Sequence, residues 1–345
     1  MTKQIMVGGV PIGGGAPVTI QSMTNTRTDD VEATLHQIRT LAAAGCEIIR
    51  VAVPDMAAAK AVGKIKEGSS IPVVVDIHFD YKLALEAIAA GADKVRINPG
   101  NIGGADHVKA VAQACARRGV PIRIGVNGGS LEKPLLAKYG GVCPEAMVES
   151  AFGHIRLLNQ FDFDDICVSL KSSSVPMTME AYQLMSQASD YPLHIGVTEA
   201  GTVRMGTLKS AVGIGGLLAL GIGDTMRVSL SADPVEEVYA AKEILKAAGV
   251  RREGAELVSC PTCGRTRIDL IALANEVEER LKTVDKPITV AVMGCVVNGP
   301  GEASAADCGI AGGVGEGLLF KKGQIVKKVP QEQLVDELFA LIDTL

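Results

Sequence analysis

The chain has 345 residues, of which 47% are hydrophobic, so it is long enough for one large and one smaller domain, each with its own core. Its net charge of -5 and its aromatic content of 3% argue against a nucleic-acid surface, which needs basic groups and usually stacking rings. The sequence contains no run of about 18 uncharged apolar residues and no signal-peptide pattern. We therefore expect a cytoplasmic protein that binds neither membranes nor nucleic acid.

Up to about residue 249 the sequence repeats one unit, which is a short apolar strand, a polar turn and an amphipathic helix. The eight predicted strands span 18–23, 47–53, 72–77, 93–98, 121–127, 165–170, 192–197 and 225–230. This pattern predicts an α/β fold, a (β/α)8 TIM barrel over residues 1–250. An open, doubly wound sheet is the alternative, because a count of strands does not prove that the sheet closes.

Basic residues interrupt several of the predicted strands, where an unpaired charge would be costly. They are Arg50, Arg96, Arg123 and Lys171. One explanation is that they pair with carboxylates such as Asp76, Asp93 and Glu199. However, four inward cations from neighbouring strands, together with glycine-rich turns, favour a substrate that carries two phosphates.

Acid–base candidates also follow the predicted strands. Asp76 and Glu199 are carboxylates at strand ends among cations, where they stay ionised and can exchange protons through water. His78 lies two residues after Asp76, on the same face of an extended segment, whereas His194 lies near the start of its strand and is the weaker candidate. Three other histidines fall on predicted helices, and we expect them at the surface: His36, His107 and His154.

After a polar joint at 251–254 the pattern changes to a small α+β domain over residues 251–345. It contains the motif CPTCGR, with Cys260 and Cys263, and the motif GCVVNGPGE, with Cys295. A structural zinc site needs four protein ligands, whereas three thiolates on a 4Fe-4S cluster leave one iron free. Zinc would require Cys308, at a spacing that is not typical of fingers or ribbons.

The cysteine pattern therefore favours a 4Fe-4S cluster, with one iron that lacks a thiolate ligand. Glu302, at the end of the second motif, is a candidate oxygen ligand of that iron. Oxygen binds iron less strongly than thiolate does, so a substrate could displace it.

The two cysteine motifs resemble the signature of the 4-hydroxy-3-methylbut-2-enyl diphosphate synthases of the non-mevalonate isoprenoid pathway. The similarity extends along the chain to QSMTNT at 21–26, DIH at 76–78, VRINPG at 95–100, IGVNGGS at 124–130 and HIGVTEAG at 194–201. The short length resembles the two-domain bacterial form of the family.

This resemblance implies an iron–sulfur oxidoreductase that opens the ring of 2-C-methyl-D-erythritol 2,4-cyclodiphosphate and removes an oxygen as water. Electrons would come from reduced flavodoxin or ferredoxin through a 4Fe-4S cluster. The family also implies a head-to-tail homodimer, in which the cluster domain of one subunit closes the barrel mouth of the other.

The resemblance also implies roles for individual residues. The substrate diphosphate would be bound by Arg50, Arg96, Arg123, Asn127, Lys171, Arg227 and Ser229. Asp76, His78 and Glu199 would lie near the reacting carbons. Cys260, Cys263 and Cys295 would hold the cluster, with Glu302 as the resting ligand of the fourth iron.

Two other functions remain open at this point. The barrel features alone also resemble dihydropteroate synthase, a condensing enzyme with a diphosphate substrate and no use for a cluster. An iron–sulfur scaffold protein would explain the cysteines, but it would not require basic residues inside the barrel.

Overall fold

The chain folds as two units, Met1–Val250 and Arg251–Leu345. The structure is a computed structural model that describes residues 1–98, 100–252, 254–295 and 303–345. None of the helices in these ranges is long and apolar enough to cross a membrane.

The first unit is a closed barrel of parallel strands. The strands are β3 (Thr19–Met23), β4 (Ile48–Ala52), β5 (Val73–Asp76), β6 (Lys94–Ile97), β7 (Ile122–Asn127), β8 (Ile166–Lys171), β9 (His194–Ile195) and β10 (Thr225–Met226). They pair in the order β8-β7-β6-β5-β4-β3-β10-β9, and a bridge from Val168 to Leu193 joins the two ends of the sheet. The barrel prediction is confirmed, and the open doubly wound sheet is wrong.

Helices follow the barrel strands and cover the outside of the sheet. They are α1 (Val31–Ala44), α2 (Met56–Gly68), α3 (Tyr81–Ala89), α4 (Ala105–Arg118), α5 (Lys133–Tyr139), α6 (Pro144–Asn159), α7 (Val175–Ala188), α8 (Val203–Ser210), α9 (Gly216–Ala219) and α10 (Pro234–Ala247). Their ends carry the expected caps. The Asp30 side chain accepts the N–H of Ala33 at the start of α1, and Gly45 ends that helix with a left-handed φ of 109°.

An antiparallel hairpin precedes the barrel, which the sequence interpretation missed. Its strands are β1 (Ile5–Val7) and β2 (Val10–Ile12). The apolar side chains of the hairpin pack against Ile48, Val74 and Cys167 at the amino-terminal ends of the barrel strands. The hairpin therefore covers the end of the barrel opposite to the strand ends that carry the predicted site.

In its described residues, the second unit consists of a five-stranded sheet and two α-helices. Its strands are β11 (Glu256–Ser259), β12 (Thr289–Met293), β13 (Cys308–Gly312), β14 (Glu316–Lys321) and β15 (Gln324–Pro330), paired in that order. The first three strands are parallel and the last two run antiparallel to their neighbours. Helices α11 (Leu270–Leu281) and α12 (Leu334–Asp343) pack against it around Val277, Val290 and Leu338.

Candidate active site

The parallel register places the inward side chains of the barrel in layers of four, drawn from alternate strands. The layer above the hairpin contains Ile48, Lys94, Cys167 and Thr225. The second contains Gln21, Val74, Arg123 and His194, and the third contains Arg50, Arg96, Ser169 and Arg227. Above them lie Met23, Asp76, Gly125 and Gly196, and the rim contains Ala52, Asn98, Lys171 and Ser229. Branched aliphatic residues usually fill such layers, so this interior is unusually polar and basic.

Asp76 is the centre of a charge network in the upper layers. Its Oδ1 accepts a hydrogen bond from Arg96 Nη1 at 3.0 Å, and its Oδ2 lies 3.7 Å from both Arg50 Nε and His78 Nε2. Burial by itself would raise the pKa of Asp76, but Arg50, His78 and Arg96 together lower it well below its usual range. Asp76 is therefore a carboxylate at neutral pH, which holds two arginines in place and has no proton to donate.

Two glycines provide the space for the basic side chains. A Cβ atom at Gly125 would lie 2.4 Å from Arg96 Nε, and one at Gly196 would lie 2.8 Å from Lys171 Nζ. Any larger residue at either position would displace a charged group. The glycines belong to motifs that the sequence interpretation used, but their role in making room for these side chains was missed.

Among the described residues, six basic side chains lie in these layers, and two carboxylates, Asp76 and Glu237, pair with some of them. The six are Arg50, Lys94, Arg96, Arg123, Lys171 and Arg227. Arg227 is already neutralised, because its Nε and Nη2 donate to the two carboxylate oxygens of Glu237 at 3.1 and 3.0 Å. Glu237 is a buried residue of α10 that also accepts the Ser22 hydroxyl at 3.1 Å. Pairing with a carboxylate therefore accounts for Arg227 through Glu237, and for Arg50 and Arg96 through Asp76.

Arg123 and Lys171 lack such partners among the described residues. Arg123 is 1% exposed, and its Nε and Nη1 have no hydrogen-bond partner among the described residues. Lys171 is buried and makes no ion pair within the same ranges. Burial, followed by repulsion from neighbouring arginines, lowers the pKa of Arg123 to about 10 and that of Lys171 well below its usual value. An anion bound among them would relieve both effects.

The remaining predicted residues lie at the strand ends with varied exposure. His78 has a half-exposed side chain beside the exposed ring of Phe79. Glu199 is exposed and has a φ of 52°, in the left-handed region that glutamate seldom adopts. Strained backbone conformations of this kind are often found at functional positions, where the surrounding structure holds the residue in place.

His194 is fully buried in the second layer and is not suited to acid catalysis. Burial and the nearby charges of Arg123, Lys171 and Lys94 lower its pKa well below the usual value. Its Nδ1 lies 3.4 Å from the Thr225 hydroxyl. Because the imidazole is neutral, His194 is a spacer rather than a proton donor.

One histidine expected at the surface is buried instead. His154 of α6 is 5% exposed, and its Nε2 lies 2.9 Å from Glu132 Oε1, in the loop that follows β7. The same ring contacts the turn after β6, since a Cβ atom at Gly100 would lie 2.9 Å from His154 Cε1. His154 therefore connects two of the loops that form the barrel mouth, those that begin at Asn98 and Asn127.

Two of the three cysteines predicted to hold the cluster lie at neighbouring strand ends. Cys260 follows β11, and Cys295 follows the adjacent parallel strand β12. The Gly294 N–H donates to Cys260 Sγ at 3.2 Å. The Arg265 N–H, together with the Thr266 hydroxyl, lowers the pKa of the Cys263 thiol. Such N–H groups favour thiolates and stabilise sulfur ligands of iron.

Cys308 does not belong to this group of thiols. It is fully buried within β13, opposite Val290, and burial raises its pKa to about 11. A fourth thiolate for zinc is therefore not provided here. Among the described residues no three side chains of His, Cys, Asp or Glu already converge as a metal site. Glu302, the predicted oxygen ligand, lies outside the described residues.

Comparison with known families accounts for both units. The GcpE TIM-barrel domain matches residues 2–242, and the GcpE protein C-terminal domain matches residues 256–344. Among solved structures, the barrel is similar to the dihydropteroate synthase of Yersinia pestis, with a TM-score of 0.51 and 15% identity over 73% of this chain and 100% of that one. It is also similar to a truncated 3-deoxy-D-arabino-heptulosonate 7-phosphate synthase from Thermotoga maritima, with a TM-score of 0.52 and 14% identity over 72% of this chain and 94% of that one. At such identities the likeness shows the fold alone.

Full-length relatives are far more similar. A protein of Geobacter sulfurreducens is 62% identical over 99% of this chain and 97% of its own length. One of Bacillus subtilis is 60% identical over 100% of this chain and 91% of its own length. Both are named 4-hydroxy-3-methylbut-2-en-1-yl diphosphate synthase (flavodoxin). The resemblance seen in the motifs is confirmed, and the chain belongs to the GcpE family of 4-hydroxy-3-methylbut-2-en-1-yl diphosphate synthases.

Proposed function

We propose that the chain converts 2-C-methyl-D-erythritol 2,4-cyclodiphosphate into 4-hydroxy-3-methylbut-2-enyl diphosphate by reductive ring opening and loss of water. The observation that carries this proposal is the excess of buried cations over carboxylates in the barrel, within a chain whose relatives bear the name of this activity. A cyclic diphosphate supplies the negative charge that this interior lacks.

The binding role falls mainly on the unpaired cations. Arg123 has two buried donors without a partner in the described structure, and Lys171 is a buried cation without an ion pair there. A phosphate oxygen would bind strongly between them, because little water competes in this interior. Arg50 and Arg96 are already fixed by Asp76, so they are preorganised for the second phosphate. Asn127 and Ser229 add neutral donors at the rim. Arg227 serves this site with its position fixed by Glu237.

We assign different roles to the three candidate residues near the reacting carbons. Asp76 stays ionised and positions Arg50 and Arg96, so we assign it an electrostatic role. His78 lies within reach of both Asp76 and water at the mouth, which suits proton delivery to the departing oxygen. Glu199 is the other candidate, because its strained backbone holds it at a strand end.

Cys260, Cys263 and Cys295 would hold a 4Fe-4S cluster, which supplies the two electrons of the reaction when it is bound. The donor set fits this group, because the Gly294 and Arg265 N–H groups favour sulfur in its thiolate form. Glu302 is proposed as the resting ligand of the fourth iron. Cys308 has no part in the site.

The implied partners follow from the family. Flavodoxin is the favoured electron donor over ferredoxin, because it is part of the name of the relatives. We also propose a cytoplasmic homodimer, in which each barrel is served by the cluster domain of the partner subunit.

Anaerobic purification and turnover test this proposal. The full chain should be brown, contain about four irons per subunit, and convert the cyclodiphosphate when reduced flavodoxin is supplied. Cys260→Ser should lose iron and activity, whereas the matched change Cys308→Ser should retain both. Lys171→Met should keep the cluster and lose substrate binding. A colourless zinc protein, or an iron-loaded enzyme that leaves the cyclodiphosphate unchanged, would refute the proposal.

The condensing-enzyme alternative rests on the fold alone. The similarity to dihydropteroate synthase covers the barrel at 15% identity. It gives no role to Cys263, or to Cys260 and Cys295, which follow two adjacent parallel strands.

A further inference from the structure

Lys94 is a buried cation that none of the roles above uses. It is the first residue of β6, its side chain is 0% exposed, and its Nζ has no hydrogen-bond partner among the described residues. It lies in the lowest interior layer, one layer below Arg123 and three layers below Asp76. From the sequence alone, position 94 indicates only a polar residue at the start of a predicted strand.

No counter-ion for Lys94 lies beside or below it in the described structure. The adjacent Asp93 is engaged elsewhere, with Lys66 Nζ at 2.7 Å and the Val73 N–H at 2.8 Å. Cys167, in the same layer, is buried, and burial raises the pKa of its thiol, so it stays neutral. The hairpin closes the layer from below with the side chains of Val7 and Ile12. No described neighbour therefore offsets the desolvation cost of the buried Lys94 ammonium.

Apart from the Thr225 hydroxyl and the Cys167 thiol of the layer that contains Lys94, the next described polar side chains along the barrel axis are Gln21, Arg123 and His194, in the layer above. The charges of Arg123 and Arg50 already act on the Lys94 ammonium, and after burial they contribute to lowering its pKa to about 8. The extended lysine side chain is long enough to pass from one interior layer to the next. Its ammonium group therefore belongs to the same electrostatic cluster as the arginines above.

We propose that Lys94 is a substrate-binding cation that forms the floor of the diphosphate site. The negative charge that it lacks in the free protein is provided by the diphosphate when this binds above it. This inference rests on the proposed function, since it requires a doubly phosphorylated ligand in the barrel. It implies that Lys94 lowers the stability of the free enzyme and raises its affinity for the substrate.

The test is Lys94→Met in the cluster-loaded full chain. Methionine fills a similar volume without a charge, so the ligand-free variant should have a higher Tm than the wild type. The Kd for the cyclodiphosphate, measured by calorimetry without a reductant so that no turnover occurs, should rise about 10- to 100-fold. A lysine with a purely structural role would show the reverse pattern, with a lower Tm and an unchanged Kd.

Two further variants make the result decisive. Lys66→Met removes a neighbouring lysine that is paired with Asp93 at the amino-terminal rim, and it should leave the Kd unchanged. Lys94→Gln repeats the test with a polar side chain if the methionine variant does not fold. The inference is overturned if both Lys94 variants are less stable than the wild type, or if either folded variant binds within twofold of it. If the wild type itself binds no cyclodiphosphate, the proposed function fails as well.

Discussion

Gly125 offers a sharp test of the site, because its missing side chain makes room for Arg96. A Cβ atom at this position would lie 2.4 Å from Arg96 Nε, 2.7 Å from Nη2 and 2.9 Å from Cζ, whereas ordinary contacts begin at 3.4 Å. Gly125→Ala therefore forces the guanidinium away by about 1 Å. That movement breaks the 3.0 Å hydrogen bond from Arg96 to Asp76.

The loss of a charge-assisted hydrogen bond in a buried site costs about 1.5–3 kcal/mol. If the displaced Arg96 guanidinium also loses its contact with the bound diphosphate, kcat/KM should fall about 10- to 100-fold. The assay is steady-state turnover of the cyclodiphosphate by the cluster-loaded enzyme, together with thermal unfolding, where overpacking should cost about 1–3 kcal/mol.

Gly153→Ala on α6 is the matched control for this change. A Cβ atom there meets nothing within 4 Å, so activity should be unchanged and the helix should gain up to about 1 kcal/mol. If Gly125→Ala retains kcat/KM within twofold of the wild type, the idea that Arg96 must keep its place against Asp76 is wrong.

Three more predictions concern the groups that fix the barrel mouth. Asp76→Asn should destabilise the protein at neutral pH, and because the folded-state pKa of Asp76 is lowered, the Tm difference should stay constant down to about pH 4 and shrink below it. His154→Ala should raise KM about tenfold with a smaller effect on kcat, as the loops after β6 and β7 loosen, whereas His36→Ala should change neither. Glu237→Gln should leave Arg227 without a counter-ion and lower the unfolding free energy by about 3 kcal/mol in urea titrations.

Each of these predictions has a clear contrary result. A Tm difference for Asp76→Asn that grows as the pH falls from 8 to 5 would mean that the carboxyl titrates in that range. A fall in kcat alone for His154→Ala would argue against a loop-positioning role. Wild-type stability of Glu237→Gln would show that Arg227 is solvated rather than dependent on this carboxylate.

Much of the barrel could be predicted because its strands are short apolar runs between turn residues. The strands β9 and β10 were predicted too long, since pairing ends after two residues in each. At β10, the Leu230 N–H donates to the Glu237 carboxylate, which takes the place of a strand partner. That contact joins residues from a loop and a helix, so no local pattern reveals it.

Lys94 and Glu237 could have been recognised as interior residues from their positions in a predicted strand and a predicted helix. Lys94 precedes Arg96 by two positions, so the alternation of a strand places both in the barrel interior. Glu237 lies in the apolar period of α10, between the buried residues Pro234 and Val238 and in line with Ala241. The hairpin is harder to foresee, because strands of three residues around Gly8 and Gly9 gain their stability only from the barrel beneath them.

In the described structure the hairpin β1–β2 closes one end of the barrel, so the interior opens only at the other end. Because Val7 and Ile12 seal its amino-terminal end, a ligand held among the arginines can exchange with solvent only through the mouth. Substrate must then enter and product must leave by the same opening, so the product has to dissociate before the next substrate molecule can bind. The product, which keeps the diphosphate, should therefore act as a competitive inhibitor, and its departure can set the pace of turnover.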